Sequence, residues 1–131
     1  AQIHFRDGIT SKEIQETLIK TAVDKIDIDA PNWTFVASRL FLFNLYHQVN
    51  GFTGYSSLEK YFQRGEEEGR ILLGLKEMND LEALEKEIDP QRDLQFNYLG
   101  IKTLYDRYLL KDSSGNPIEL PQHMFMAIAM F

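Results

Sequence analysis

The chain has 131 residues and a mass of 15.3 kDa, the size of one domain or of part of a longer protein. Hydrophobic residues make up 44% and charged residues 26%, a balance typical of folded globular proteins. The absence of cysteine excludes disulfides, thiolate metal ligands and cysteine nucleophiles. The net charge of −6 and the lack of a basic stripe argue against nucleic-acid binding. No apolar run is long enough to span a membrane.

The two ends of the chain suggest a segment of a longer protein. The sequence begins with Ala1 and stops at Phe131, inside its most apolar stretch, whereas natural C-termini are usually polar. No charged region followed by an apolar region opens the chain, so a cytoplasmic location is expected.

Two helices are predicted in the first 50 residues. An extended lead-in around Ile3 and Phe5 precedes a capping box formed by Thr10 and Glu13. The helix behind it is amphipathic, with apolar residues at every fourth position: Ile14, Leu18, Ala22 and Ile26.

The second helix is predicted from about Pro31 to Val49, with Asp29 as its cap and Asn50 and Gly51 as its end. Its apolar residues cover more than one face. We therefore expect this helix to be buried from several sides and to lie at the centre of the fold.

Shorter helices are predicted in the rest of the chain. Ser56 and Glu59 form a second capping box, and a third signature lies at residues 79–82. A helical pattern follows from Leu94 to Tyr108, and Pro121 begins a last helix. Residues 109–112 and 117–120 flank a Ser-Ser-Gly-Asn turn and predict a β-hairpin. The predicted fold is mainly α, with about six helices and one small β-hairpin.

No motif for a catalytic or metal site stands out. His4, His47 and His123 lack the spacing of paired metal ligands, so no metal site is expected. The run at residues 66–68, three glutamates, is typical of a solvated loop. Asp89 and Asp93 lie one turn apart, as an acid/base pair could, but their position beside Pro90 favours helix capping. These patterns alone indicate a helical domain of unstated function.

Several blocks resemble the N-terminal region of class I ribonucleotide reductase large subunits. Residues 29–40, DAPNWTFVASRL, resemble the last helix of that family's ATP-cone, and residues 7–9 and 14–20, DGI and IQETLIK, resemble the helix before it. Residues 93–98 and 103–109, DLQFNY and TLYDRYL, resemble the next block. Residues 119–126, ELPQHMFM, resemble the helix that leads into the catalytic barrel.

The resemblance implies a division at residue 50. Residues 1–50 would be the C-terminal part of an ATP-cone, and residues 51–131 would be the helical region that precedes the barrel. The parent enzyme would reduce ribonucleotides to deoxyribonucleotides for DNA synthesis, together with the remainder of the large subunit and a radical-generating small subunit. This chain would contribute no catalytic residue and no cofactor site, because the family's catalytic cysteines are absent from it.

The resemblance also implies a regulatory role. ATP and dATP are the family's allosteric effectors, and the cone contacts carried over by position fall on Ser11, Gln15 and His47. Family members often have histidine at the position of Gln15 and lysine at that of His47. A lysine is a permanent counter-charge for phosphate, whereas a histidine is only partly protonated at neutral pH. A nucleotide-binding hairpin of the family would precede Ala1.

Two alternatives stand beside this interpretation. Ser11, Gln15 and His47 could be ordinary residues on helix surfaces. The chain could also be a free-standing helical module that senses nucleotides or binds other proteins.

Overall fold

The computed structural model describes residues 11–130, apart from residues 72, 75, 76 and 78, and this part is almost entirely helical. The helices are α1 (Ser11–Asp24), α2 (Trp33–Asn50), α3 (Leu58–Glu67), α4 (Leu81–Glu85), α5 (Tyr98–Arg107) and α6 (Pro121–Met130), with a 3₁₀ helix at Pro90–Gln95. The prediction of a mainly α fold is confirmed. In the described part, no helix combines the length and the apolar character needed to cross a bilayer.

The beginning of the chain is outside the described residues. The predicted lead-in around Ile3 and Phe5, His4 and the capping residue Thr10 all fall there. The described structure starts with α1, whose bounds agree with the predicted amphipathic helix to within two residues at its end.

α2 begins later than predicted. Asp29 is not its cap: residues 27–30 form a tight turn, closed by the amide of Ala30 donating to the carbonyl of Asp27 at 3.1 Å. The Asp27 carboxylate accepts from the amide of Ile28 at 2.6 Å and stabilises this turn, so the helix starts only after Asn32. The end is as predicted, because Gly51 adopts the left-handed conformation, with φ of 78°, and its amide donates to His47.

α2 is the centre of the fold, as expected from its apolar faces. It packs against α1 on one side and against α5 on another. Leu42 and Leu45 of α2 belong to the larger apolar cluster, which also contains Ile101, Leu109, Leu120 and Met124. Ile101 and Leu120 are completely buried.

A second apolar cluster forms around α3. Leu58, Tyr61 and Phe62 are its buried members. Apolar residues of α4, of the segment after it and of the end of α6 pack on them: Leu81, Leu84, Ile88, Met126, Ala127 and Met130. Because Met124 belongs to the first cluster, α6 connects the two.

The bounds of α3 differ from the prediction in two places. Its cap is Ser57 rather than Ser56, and the Ser57 hydroxyl accepts from the amide of Lys60. Glu66 and Glu67 lie in the last turn of the helix and not in a loop. Gly65 lies inside the helix and is buried, and its lack of a side chain leaves room for the side chain of Ile71.

Gly65→Ala should destabilise the fold although alanine is the better helix former. A methyl group at Gly65 would overlap Cδ1 of Ile71 and lie 2.7 Å from its Cγ1. We expect a net loss of about 1–2 kcal/mol in urea unfolding, since overpacking commonly costs about 1–3 kcal/mol. The control is the same change in an Ile71→Ala background, where it should be neutral or stabilising. A loss of equal size in that background would disprove the steric explanation.

The predicted hairpin is reduced to a turn with one antiparallel bridge, between Lys111 and Pro117. The Asp112 carboxylate accepts from the amides of Ser114 and Asn116, each at 2.9 Å, which holds the turn. Pro117 has no amide proton to donate, so the ladder does not extend into regular strands.

The segment from Asp89 to Arg107 is two helices, although the sequence pattern from Leu94 suggests one. The 3₁₀ helix ends at Gln95, and Asn97 caps α5 by accepting from the amide of Gly100 at 2.7 Å. Asp89 caps the 3₁₀ helix through the amide of Gln91, as predicted. Asp93 is not a capping residue: it is completely buried and accepts side-chain hydrogen bonds.

Candidate functional site

Two of the three predicted effector contacts lie on one pocket. Gln15 of α1 and His47 of α2 both line an open cavity of about 480 Å³. Ser11 is the first residue of α1, and its side chain is outside the described part of the structure. The structure therefore brings Gln15 and His47 together. We call this cavity the polar pocket, and its other lining residues are Lys12, Asn44, Gln48, Arg64, Asp112 and Asn116.

The helix geometry explains why these residues converge. Lys12 and Gln15 are three residues apart on α1, and Asn44, His47 and Gln48 are separated by three and four residues on α2. Residues at these spacings share a helix face. Because α1 packs against α2, the two faces form adjacent walls of the same pocket.

His47 is held in place by its neighbours. Its Nε2 atom lies 2.9 Å from the hydroxyl of Thr53, and its ring centroid lies 4.6 Å from that of Phe43. These contacts orient the imidazole at the C-terminal turn of α2, beside the pocket.

The pocket contains two permanent cations. Arg64 donates through Nη1 to the carbonyl of Val49 at 2.8 Å, which fixes its guanidinium at the rim. Lys12 is exposed and has no hydrogen bond or ion pair among the described residues. Asp112 opposes them as an anion. Hydrogen bonds from Asn116 and Ser114 lower the pKa of its carboxyl group below the ordinary value. Lys12 and Arg64 are therefore the two groups of the pocket that would attract a polyanion.

Sequence reasoning missed both cations. Lys12 lies one turn before Gln15, so its helical spacing was a usable signal. Arg64 comes from a separate helix, and only the packing of α3 beside the end of α2 brings it to the pocket.

A buried carboxylate, Asp93, connects four segments of the fold. Its Oδ2 atom accepts from the hydroxyls of Tyr46 at 2.7 Å and Tyr55 at 2.5 Å, and its Oδ1 atom accepts from the side-chain amide of Gln122 at 2.9 Å. The Tyr55 hydroxyl also accepts from the backbone amide of Gln122. Burial raises the pKa of the Asp93 carboxyl group, and the three hydrogen bonds limit that rise.

A second buried carboxylate, Glu119, lies beside an aromatic stack. It accepts from the hydroxyl of Tyr61 and from the amide of Leu110 at 3.1 Å. His123 stacks on Tyr61 with ring centroids 4.7 Å apart and meets Tyr55 edge-on at 4.9 Å. Burial raises the pKa of Glu119 and lowers that of His123 to about 4.

The buried groups serve the fold and do not form an acid/base site. Burial and the adjacent carboxylates raise the pKa of the Tyr46, Tyr55 and Tyr61 hydroxyls, so these groups remain hydrogen-bond donors. Asp89, which lies one turn before Asp93 in the sequence, is exposed and caps the 3₁₀ helix. Among the described residues, no group of three potential ligands could hold a metal ion.

Comparisons with known proteins agree on one family. A family model described as "Ribonucleotide reductase, all-alpha domain" matches residues 94–131. The chain is 72% identical over 131 residues, its whole length, to the ribonucleoside-diphosphate reductase subunit alpha of Helicobacter pylori strain ATCC 700392 / 26695. It is 33% identical over 131 residues, 97% of its length, to subunit alpha of Enterobacteria phage T4. It is 31% identical over 134 residues, 98% of its length, to subunit alpha of ribonucleoside-diphosphate reductase 1 of Escherichia coli K12.

The matched region is a small part of each relative. The chain spans 17% of the length of the Helicobacter and phage proteins and 18% of the Escherichia protein. The blocks singled out in the sequence fall within these alignments, which cover nearly the whole chain. The chain belongs to the family of ribonucleoside-diphosphate reductase alpha subunits, the large subunits of ribonucleotide reductase.

Proposed function

We propose that this chain is the regulatory and connecting segment of a cytoplasmic ribonucleoside-diphosphate reductase. The complete subunit, with its radical-generating small subunit, reduces ribonucleotides to deoxyribonucleotides for DNA synthesis. The observation that carries this proposal is 72% identity along the whole chain to a protein with that name. Because the chain has no cysteine, the thiol chemistry belongs to the rest of the subunit.

The division at residue 50 remains part of this proposal. α1 and α2 would be the C-terminal part of an ATP-cone, and residues 51–131 would be the helical region before the catalytic barrel. The end of α2 at Asn50, followed by the left-handed Gly51, supports a boundary there. The family model for the all-alpha domain matches only residues on the C-terminal side of it.

The polar pocket is the proposed contact region for ATP or dATP. Gln15 and His47 would face the nucleotide. The resemblance to the family adds Ser11 as a third contact. Lys12 and Arg64 supply the positive charge that triphosphate requires. The pocket is open to solvent and Lys12 is exposed, so each of these contacts is screened by water and salt.

Turnover assays test whether catalysis belongs to the rest of the subunit and not to this chain. The isolated chain should show no reduction of ribonucleoside diphosphates, with or without the small subunit and a thiol reductant. The complete subunit, assayed in parallel as the positive control, should turn over. Reductase activity of the isolated chain would contradict the proposal.

Calorimetric titration of the isolated chain tests the alternative of a free-standing nucleotide sensor. We expect ATP and dATP to bind no more tightly than roughly millimolar, because an open pocket with two permanent cations supplies few desolvated contacts. Micromolar affinity would support the free-standing module instead. Inorganic tripolyphosphate is the control ligand, since it carries the charge without the base and sugar.

A further inference from the structure

A second cavity lies between α1, α2 and α5. Its volume is about 440 Å³, within the range of small-molecule sites. It shares Lys12, Asn44 and Gln48 with the polar pocket, but its other lining residues differ. We call it the aromatic cavity, because Phe41, Tyr98 and Tyr105 line it.

The three aromatic rings form a fixed surface. Phe41 meets Tyr98 edge-on at 6.1 Å between centroids and Tyr105 edge-on at 5.2 Å. Lys102 lies over the Phe41 and Tyr105 rings, at 5.6 Å and 5.3 Å. Neither face of the Tyr98 ring has such a cation among the described residues. Tyr98 lines the cavity, so a flat apolar group bound there would pack against its ring, and Ile19 and Val23 add aliphatic surface to the same cavity.

The rim of the aromatic cavity is positively charged. Lys12, Lys20 and Lys102 lie on the lining, with Glu16 as the opposing charge, in a chain whose net charge is −6. Lys102 is paired with Asp106 at 3.2 Å. Lys12 and Lys20 have no hydrogen bond or ion pair within the described part of the chain, so two ammonium groups are free to bind an anion.

We propose that the aromatic cavity binds a planar aromatic ligand that carries an anionic group. The flat ring packs against Tyr98 and the aliphatic side chains, and the anion is bound by Lys12 and Lys20 at the rim. Nucleotides and aromatic carboxylates share this chemistry. α1 and α2 lie before the proposed boundary and α5 lies after it, so the ligand contacts both units at once. This inference stands without the proposed function, because it requires neither Gln15 nor His47.

Binding of AMP and of 2-naphthoate to the complete protein tests the inference. Tyr98→Leu should weaken both ligands by about tenfold, within the range that base stacking on an aromatic side chain contributes. The backbone amide of Tyr98 donates to the hydroxyl of Thr34, and leucine retains that bond. Lys20→Gln should weaken both ligands about threefold at low salt, as expected for one exposed charge. If the substitutions reduce the affinity for AMP more than the affinity for 2-naphthoate, the preferred ligand is a nucleotide.

Matched variants outside the cavity control for unrelated effects. Tyr108→Leu removes an exposed tyrosine just after α5, and Lys86→Gln removes an exposed lysine after α4; neither should change binding. Intermolecular NOEs from the ligand ring to Tyr98 and Val23 should locate it in the cavity. The inference is overturned if neither ligand binds, if NOEs place the ring elsewhere, or if Tyr98→Leu and Tyr108→Leu behave alike. His47→Ala should weaken ATP at the polar pocket and leave 2-naphthoate unaffected, which separates the two sites.

Discussion

Replacing Asp93 by alanine should lower the free energy of unfolding by about 3 kcal/mol in urea denaturation. The substitution removes the acceptor for the hydroxyls of Tyr46 and Tyr55 and for the side-chain amide of Gln122. A buried donor left without a partner costs about 1–3 kcal/mol. Part of this loss is offset because the buried carboxylate is itself disfavoured, as its raised pKa shows.

Two further variants make this prediction specific. Asp93→Asn retains an acceptor oxygen and should cost about 1 kcal/mol, since only part of the network is lost. Asp106→Ala removes a half-exposed carboxylate whose single ion pair is on the surface, so its effect should stay within about 0.5 kcal/mol. A cost below about 1 kcal/mol for Asp93→Ala would show that the network does not stabilise the fold.

Replacing His123 by phenylalanine should remove an acid-induced loss of stability. Burial lowers the pKa of His123 from 6.5 to about 4, so the folded state favours the neutral imidazole. The stability from this group is complete above pH 6.5 and is lost as the pH falls towards 4. Between pH 7.5 and pH 4, the free energy of unfolding of the wild type should therefore fall by about 3 kcal/mol more than that of His123→Phe.

The pH dependence of stability must be compared between the wild type and the variants, because two buried carboxylates change stability with pH in the opposite direction to His123. Burial raises the pKa of Asp93 and Glu119, so each favours folding more as the pH falls from its folded pKa towards its ordinary value. These contributions are present in both proteins and cancel in the difference. His123→Gln also lacks a titratable group and should show the same pH profile as His123→Phe. If the free energy of unfolding depended on pH in the same way in the wild type and in the variants, the assignment of a neutral His123 would be contradicted.

The helices could be predicted from local signals because those signals act within a few residues. Pro121 at the start of α6 and Gly51 at the end of α2 determine their own backbone geometry. The capping residue Asp89 also acts locally. The predicted cap of α2 at Asp29 was wrong because a neighbouring interaction was stronger than the local capping signal. The turn stabilised by the Asp27 carboxylate delays the start of the helix.

The buried polar network could not be predicted in the same way. Asp93 lies 47 residues from Tyr46 and 29 from Gln122 along the chain, and no local pattern reports their contact. Its position after Pro90 is typical of a capping residue, so the local pattern predicts a cap and not a buried acceptor. Only the packing of α2, α6, the 3₁₀ helix and the segment between α2 and α3 places the four side chains together.

The polar pocket was predictable only in part. Resemblance to the family indicated Gln15 and His47, and the helix geometry places both on one cavity. Arg64 and Asp112 enter the pocket through tertiary packing. The aromatic cavity has no sequence signal, because Phe41 lies on α2, far along the chain from Tyr98 and Tyr105 of α5, and only packing brings the three rings together.

The most direct test of the proposed regulatory site is ATP binding by the complete subunit with His47→Lys. A lysine would place a permanent positive charge beside Lys12 and Arg64. We predict that calorimetry at pH 7.5 shows ATP binding about three- to tenfold tighter than in the wild type, the gain expected from one added charge-assisted contact. Gln91→Lys, which adds the same charge at an exposed position outside the pocket, should leave the affinity unchanged. Equal affinities for wild type and His47→Lys, or equal gains for both lysine variants, would contradict a nucleotide site at this pocket.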